Sequence, residues 1–303
     1  VIVCSVQSEI VSYQMTPQVW QTSRFSIDLT HPKVMAIVNL TPDSFSEGGQ
    51  NSALHQALDQ AQKFLAQGAD ILDIGGESTR PGAKPVDLAE ELARVLPFLK
   101  EAVRWQVPIS VDTYKPEVMQ LALDSGVDII NDVWALRRPG AQQVVATHPR
   151  CGVCLMHMHA EPATMQVQPM VGAAMGVVKD FLQHPAQRLD ALGVARERVL
   201  LDPGIGFGKT VAQNFELLAR QEELLELGHG LLLGWSRKSS LGAVTDLPVD
   251  QRTVPSVAAA VLALERGARV LRVHDVADTM AAVKVWVAAQ PSPRPDCPEP
   301  ATA

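Results

Sequence analysis

The chain has 303 residues, 47% of them hydrophobic and 19% charged, and a formal net charge of −7 at pH 7. That composition builds a globular protein with a sizeable core, and its acidic balance argues against nucleic acid or an anionic membrane as a general electrostatic partner. No apolar run reaches the roughly eighteen residues of a membrane helix, and four cysteines are too few for a disulfide scaffold in so long a chain, so the sequence fits a reducing cytoplasm.

Residues 1–18 are read as a leader outside the fold. The first fourteen contain neither Lys nor Arg and no apolar core of a secretory signal, and the first methionine is Met15. Residues 19–29 alternate enough to predict a short hairpin or plug. From there one unit recurs. Apolar strands are predicted at 34–40, 69–75, 107–112, 127–132, 152–158, 199–204, 231–235 and 269–274. Helical stretches follow them at 52–67, 86–104, 116–125, 140–147, 172–192, 211–225, 252–266 and 276–289. The first helix carries Leu54, Leu58, Ala61 and Leu65 at helical spacing and stops at Gly68. Near-continuous Val/Ile/Leu strands separated by amphipathic helices predict a parallel sheet covered by helices, and eight such units predict a single (β/α) TIM barrel over residues 19–289. A doubly wound open sheet is the alternative. Residues 290–303, with five prolines and no apolar pattern, read as a disordered tail.

Every predicted strand ends in polar residues on its carboxyl side, where barrel enzymes build their sites. In chain order these are Asn39; Asp73 and Glu77; Asp112; Asn131 and Asp132; His157 and His159; Asp202; Ser236 and Lys238; Arg272 and His274. Any one alone reads as a cap or turn residue. Eight strands ending alike predict a site. Arg272 and His274 alternate with Val273, so they share a face at the end of the last strand, a usual place for a phosphate group. Asp112 and Asp202 are costly at a barrel mouth unless they accept hydrogen bonds, and a heterocycle with an amidine-like N–H edge suits a carboxylate. Asn131 and Lys238 can supply complementary donors.

Three motifs invite other readings. Gly204-Ile-Gly-Phe-Gly-Lys209-Thr210 resembles a phosphate loop but is one residue short, with Pro203 where the first glycine belongs. Cys151-Gly-Val-Cys154 has redox or half-zinc spacing, yet Cys154 lies in an apolar run and no second pair exists, which favours buried thiols. His157-Met-His159 could present a metal pair, but no third ligand is evident, which favours structural or substrate-orienting roles.

Eight strings in order, Val38-Asn-Leu-Thr-Pro-Asp-Ser-Phe45, Asp73-Ile-Gly-Gly-Glu-Ser-Thr-Arg-Pro-Gly82, Ser110-Val-Asp-Thr113, Ile130-Asn-Asp132, Leu155-Met-His-Met158, Leu201-Asp-Pro-Gly-Ile-Gly-Phe-Gly-Lys209, Ser236-Arg-Lys-Ser239 and Arg272-Val-His-Asp275, resemble the bacterial dihydropteroate synthase family over about residues 24–287. The resemblance implies a transferase of folate biosynthesis that joins 6-hydroxymethyl-7,8-dihydropterin pyrophosphate to p-aminobenzoate, with Mg²⁺ as cofactor and pyrophosphate leaving first. It implies a pterin pocket of Asp112, Asn131, Met156, Asp202 and Lys238, and pyrophosphate ligands Asn39, Arg272 and His274, with Asn39 also holding Mg²⁺. Asp112, Lys238, Arg272 and His274 would carry the chemistry. Pro42, Phe45, Thr79, Arg80, Pro81, Phe207 and Ser236 would surround p-aminobenzoate, where sulfonamides compete, and the family implies a homodimer packed through late helices. Leu40, Tyr114, Trp235 and the His159-Ala160 pair depart from the commonest pattern, and Tyr114 and Trp235 are expected to add bulk near the site. A methyltetrahydrofolate corrinoid methyltransferase on the same barrel would share the carboxylates and Asn131 but not need a pyrophosphate clamp. A non-catalytic pterin-binding protein would be expected to lack Asn39 or the phosphate ligands.

Overall fold

The computed structural model describes residues 18–40, 49–78, 83, 85–160 and 169–290. All but one residue of the expected leader and all but one of the expected tail lie outside the described residues. So do Pro42, Phe45, Thr79, Arg80 and Pro81. Eight strands close into an all-parallel barrel in sequence order, which decides against an open sheet. They are β3 (Lys33–Asn39), β4 (Ile71–Gly75), β5 (Ile109–Asp112), β6 (Ile129–Asp132), β7 (Gly152–Met156), β8 (Val199–Asp202), β9 (Gly230–Leu233) and β10 (Ala268–Val273), and β10 pairs back onto β3. The strands are buried on both faces, which explains why they read as unbroken apolar runs rather than alternating ones.

The helices α1 (Gly49–Ala66), α2 (Leu88–Ala102), α3 (Pro116–Asp124), α4 (Ala141–Thr147), α5 (Ala174–Ala191), α6 (Val211–Ala219), α8 (Thr253–Glu265) and α9 (Val276–Ala289) follow the expected order. Two details differ from the sequence reading. The helix expected over 211–225 ends at Ala219 and gives way to a 3-10 stretch, Gln221–Leu227. A further short helix, α7 (Ser239–Thr245), stands between β9 and α8, and its seven residues are too few to show an apolar period.

The hairpin of β1 (Val19–Gln21) and β2 (Ser26–Asp28) closes the amino-terminal end of the barrel. Trp20 is fully buried, and its indole N–H donates to the Arg198 carbonyl at 3.0 Å. It packs on an interior layer formed by Met35, Ile71, Ile129, Cys154, Leu200, Leu232 and Val270. Arg24 locks the hairpin in place, forking onto the buried carboxylate of Asp128 at 3.0 and 2.6 Å and donating to the Val107 carbonyl at 3.1 Å. Because side chains on a strand alternate, the interior positions two residues beyond this layer are Ile37, Asp73, Asn131, Met156, Asp202, Gly234 and Arg272, four of them polar. One apolar layer at the closed end thus carries a polar layer at the open end.

Candidate active site

Asp73 is the hub of the polar layer. It is fully buried, and its Oδ2 accepts the Arg272 Nε–H at 2.6 Å and the Asn131 amide at 3.0 Å. The other arm of the same guanidinium donates to Asp112 Oδ2 at 2.7 Å. The strand register makes this possible: Asp112 stands beside Gly75 and Asn131, while Arg272 faces the centre from β10. One cation therefore serves two carboxylates, and the remaining oxygens, Asp73 Oδ1 and Asp112 Oδ1, are buried without a protein partner among the described residues. Burial pushes the Asp112 carboxyl up to about 7; Arg272 opposes this and Asp73 adds to it. Burial disfavours the charge on Arg272, but the two carboxylates outweigh it and raise its pKa.

Across the mouth, Asp202 ends β8 and accepts the Gly204 N–H at 2.7 Å. Gly204 has φ +68°, and a Cβ there would lie 1.9 Å from the His157 carbonyl oxygen, so only glycine allows this turn. Burial raises the Asp202 pKa against the pull of that N–H and of Lys238. Burial lowers Lys238 to about 8, with Asp202 opposing the change. The Lys238 ammonium lies 4.3 Å from the centre of the Phe207 ring. The loop bearing Lys238 is fastened to the end of β10: Arg237 Nε donates to Asp275 at 3.0 Å, and Ser236 Oγ lies 3.0 Å from His274 Nδ1 and accepts the His274 N–H at 3.1 Å. Asn39 ends β3, with its amide oxygen 3.8 Å from the Cβ position that Gly75 leaves empty and that also meets Asp112. Met156, Met158, Val133 and Tyr114 form a small apolar wall with Trp134 and Phe207 against it.

Lys209, Thr210, both cysteines and His157 take structural positions. Lys209 is buried and donates to the carbonyls of Gly204 at 2.7 Å, Phe207 at 3.2 Å and His157 at 3.3 Å, so it ties a loop rather than a phosphate. Thr210 caps α6 in a reciprocal capping box with Gln213. Cys151 and Cys154 are free and buried; Arg198 donates to the Cys151 sulfur at 3.2 Å, while Cys154 faces the barrel interior. β7 ends at Met156, so His157 lies beyond it, its ring edge-on to Phe181 of α5 at 4.8 Å, and burial lowers its pKa to about 2. Among the described residues no group of three or more His, Cys, Asp or Glu could hold a metal. Asp132 is likewise a turn-former, accepting the N–H groups of Trp134 and Leu136 at 2.7 Å each. A cavity of about 220 Å³ lined by Gln183, Asp190, Arg196 and His229 lies by the starts of β8 and β9, at the opposite end from the polar layer.

The pattern of the pterin binding enzyme family matches residues 35–274. The dihydropteroate synthase of Neisseria meningitidis serogroup C is 49% identical over 278 residues, covering 90% of this chain and 98% of that protein. The chain belongs to the dihydropteroate synthase family. Among solved structures, the Yersinia pestis dihydropteroate synthase with a sulfonamide drug is 45% identical, with TM-score 0.84 over 89% of this chain and 98% of that one. The Burkholderia cenocepacia dihydropteroate synthase complexed with 7,8-dihydropteroate is also 45% identical, with TM-score 0.81 over 90% and 97%.

Of the residues expected from resemblance to the dihydropteroate synthase family, Asp112, Asn131, Arg272, Asp202 and Lys238 converge on the open end of the barrel. Ser236 and His274 are in direct contact. Trp235 differs from expectation: it is buried in the outer core, 5.4 Å from the Phe215 ring of α6. Tyr114 does stand at the wall of the site. Asp73 was visible as a polar residue of its strand but not as the hub. Its signal was the interior phase it shares with Ile71, two residues earlier. A second network absent from the sequence reading joins Lys115 to Glu77 and Glu91.

Proposed function

We propose that this protein carries out the family's condensation, joining 6-hydroxymethyl-7,8-dihydropterin pyrophosphate to p-aminobenzoate to give 7,8-dihydropteroate and pyrophosphate in folate biosynthesis. The observation that carries the reading is the buried polar layer in which Arg272 spans Asp73 and Asp112 opposite Asp202 and Lys238. Asp112, Asn131, Asp202 and Lys238 would hold the donor-rich and acceptor-rich edges of a pterin, with Met156 against its face. Carboxylates held beside cations suit the paired N–H donors of such a ring. The named ligands of the Burkholderia cenocepacia and Yersinia pestis structures, 7,8-dihydropteroate and a sulfonamide, support the same assignment.

Arg272 and His274 would meet the diphosphate, with Ser236 orienting the His274 ring through the 3.0 Å contact. Mg²⁺ fits the residues present: Asn39 offers a hard amide oxygen, and a cation that keeps its waters and binds substrate phosphates needs few protein ligands. When bound, it would neutralise charge on the diphosphate. In the reaction the methylene C–O bond breaks and its electron pair leaves with the diphosphate. The positive charge spreads into the dihydropterin, near the Asp112 carboxylate, and the aniline nitrogen of p-aminobenzoate donates its lone pair and loses a proton. A weakly basic aniline needs no strong general base. Phe207 and Ser236 would line the aminobenzoate subsite together with Pro42, Phe45, Thr79, Arg80 and Pro81, and sulfonamides would compete there.

Two further assignments accompany this. We place the protein in the cytoplasm, consistent with two buried free thiols and with no described helix long and apolar enough to cross a membrane. We also assign a homodimer packed through α8 and α9, where Val254 and Val285 are 78% and 71% exposed. The test is to mix the protein with the dihydropterin pyrophosphate, p-aminobenzoate and Mg²⁺ and follow pyrophosphate release and dihydropteroate together. Both products should appear in equal amounts; ligand binding without turnover refutes the activity.

A further inference from the structure

Ser236 and Lys238 flank a residue that has no part in the proposed chemistry. Arg237 lies in the left-handed region at φ +57°, at the third position of a turn closed by the Lys238 N–H on the Trp235 carbonyl at 3.2 Å. Glycine is the usual occupant of such a position, and an Arg there is strained. The conformation stands because it is held from three sides. Ser256 of α8 accepts the Arg237 N–H at 2.8 Å, Arg252 donates to the Arg237 carbonyl at 3.3 Å, and Arg237 Nε donates to Asp275 at 3.0 Å.

The helix that carries Ser256 gives it this reach. Ser256 is 5% exposed and shares the buried face of α8 with Ala259, Ala260 and Ala263. Its hydroxyl donates to the Arg252 carbonyl one turn back, which leaves a lone pair for the Arg237 N–H. Arg252 is fixed in turn: its Nε donates to the Leu247 carbonyl at 2.9 Å, and a Cβ on Gly242 of α7 would lie 2.2 Å from its guanidinium. Ser256 thus reaches the loop through the Arg237 backbone.

We propose that Ser256 is a positioning residue: by accepting the Arg237 N–H it keeps the left-handed turn that presents Lys238 to the pterin. This rests on the reading above that Lys238 holds the pterin. Without the Ser256 hydroxyl the Arg237 N–H loses its acceptor and the strained turn loses one of its three holds. Lys238 should then leave its place 4.3 Å from the centre of the Phe207 ring.

Calorimetric titration of 6-hydroxymethylpterin into the unliganded protein, at a temperature where each variant is folded, measures this without turnover. Ser256→Ala should raise the pterin Kd about tenfold, which is what one hydrogen bond supplies. In a Lys238→Ala background the same change should stay within about twofold, because Ser256 acts through Lys238. A merely structural Ser256 would lower the melting temperature and leave the Kd alone. Ser256→Cys keeps the side-chain size but offers only a weak acceptor, so it tests the same bond if the alanine variant does not fold, and it should weaken pterin binding likewise. The proposal is overturned if the folded Ser256 variants bind the pterin as wild type does, or if the Ser256 and Lys238 losses add in full. Lys238→Ala binding as tightly as wild type would instead refute the reading of Lys238 as a pterin ligand, and the proposal with it.

Discussion

Removing the Arg272 side chain should cost stability before any substrate is added. The guanidinium forks onto Asp73 at 2.6 Å and Asp112 at 2.7 Å, and both carboxylates already bury one oxygen without a protein partner. Breaking a buried ion pair by deleting one partner costs about 3–5 kcal/mol, because a charge is left uncompensated. The Arg272 side chain is 21% exposed, so the lower end, about 3 kcal/mol, applies. For a domain of this size that is roughly 6–12 °C in melting temperature. Arg272 also holds the Asp112 pKa down, so without it the carboxyl stays protonated to higher pH and the penalty should be smaller at pH 6 than at pH 8. Differential scanning fluorimetry of the unliganded Arg272→Ala variant at the two pH values checks this. Adding Asp73→Asn should recover part of the loss, since a neutral amide in place of a buried carboxylate removes the uncompensated charge. A melting temperature within 1 °C of wild type, or a double variant less stable than Arg272→Ala alone, would refute the reasoning.

The raised Asp112 pKa has its own consequence for stability. A carboxyl whose folded pKa lies above its unfolded value gives stability that is fully present below the unfolded pKa, near 3.8, and lost as pH rises through about 7. Between pH 5 and 8 the unliganded wild type should therefore lose stability relative to Asp112→Asn, by at most about 3 kcal/mol. Asp132, also pushed up to about 7 by burial, is common to both proteins and cancels in the comparison. Urea unfolding at the two pH values measures the difference, and a difference independent of pH counts against the assignment. At the other end of the barrel, Trp20→Ala should destabilise by about 3–5 kcal/mol while leaving the KM for both substrates unchanged at a temperature where the variant is folded. A raised KM would mean that the hairpin reaches the site.

The barrel was legible because its strands are buried on both faces, so that stretches such as Leu155-Met156 and Leu231-Leu232-Leu233 read as continuous core. The polar ends were legible because Asp112, Asn131, Asp202, Lys238 and Arg272 each interrupt or terminate such a run. Which cation meets which carboxylate was not legible. Asp73 and Arg272 are 199 residues apart, and their contact depends on strand register around a closed barrel, which no local pattern encodes. Lys209 shows the same limit from the other side. Its glycine-rich surroundings suggest a phosphate, and only the folded chain brings three carbonyls to its ammonium. Side-chain direction beyond a strand was equally hidden: Trp235 and Tyr114 were both expected to add bulk near the site, and Tyr114 joins the wall with Met156 whereas Trp235 packs in the outer core.

Alternation along the strands explains how one barrel can be both stable and reactive. Ile71 and Asp73, Ile129 and Asn131, Leu200 and Asp202, and Val270 and Arg272 are pairs two residues apart on the same interior face. The first member of each pair packs with Trp20 and the hairpin, and the second faces the mouth. A carboxylate at the lower position would be far from Arg272 and Lys238 and would carry the full cost of a buried charge. An apolar residue at the upper position would remove a ligand-binding group and leave its former partner unpaired. The two layers therefore cannot exchange residue types, and a one-residue shift in any strand would turn both members of its pair toward the helices. The apolar layer and its plug offset the cost of a polar layer held ready for a charged substrate.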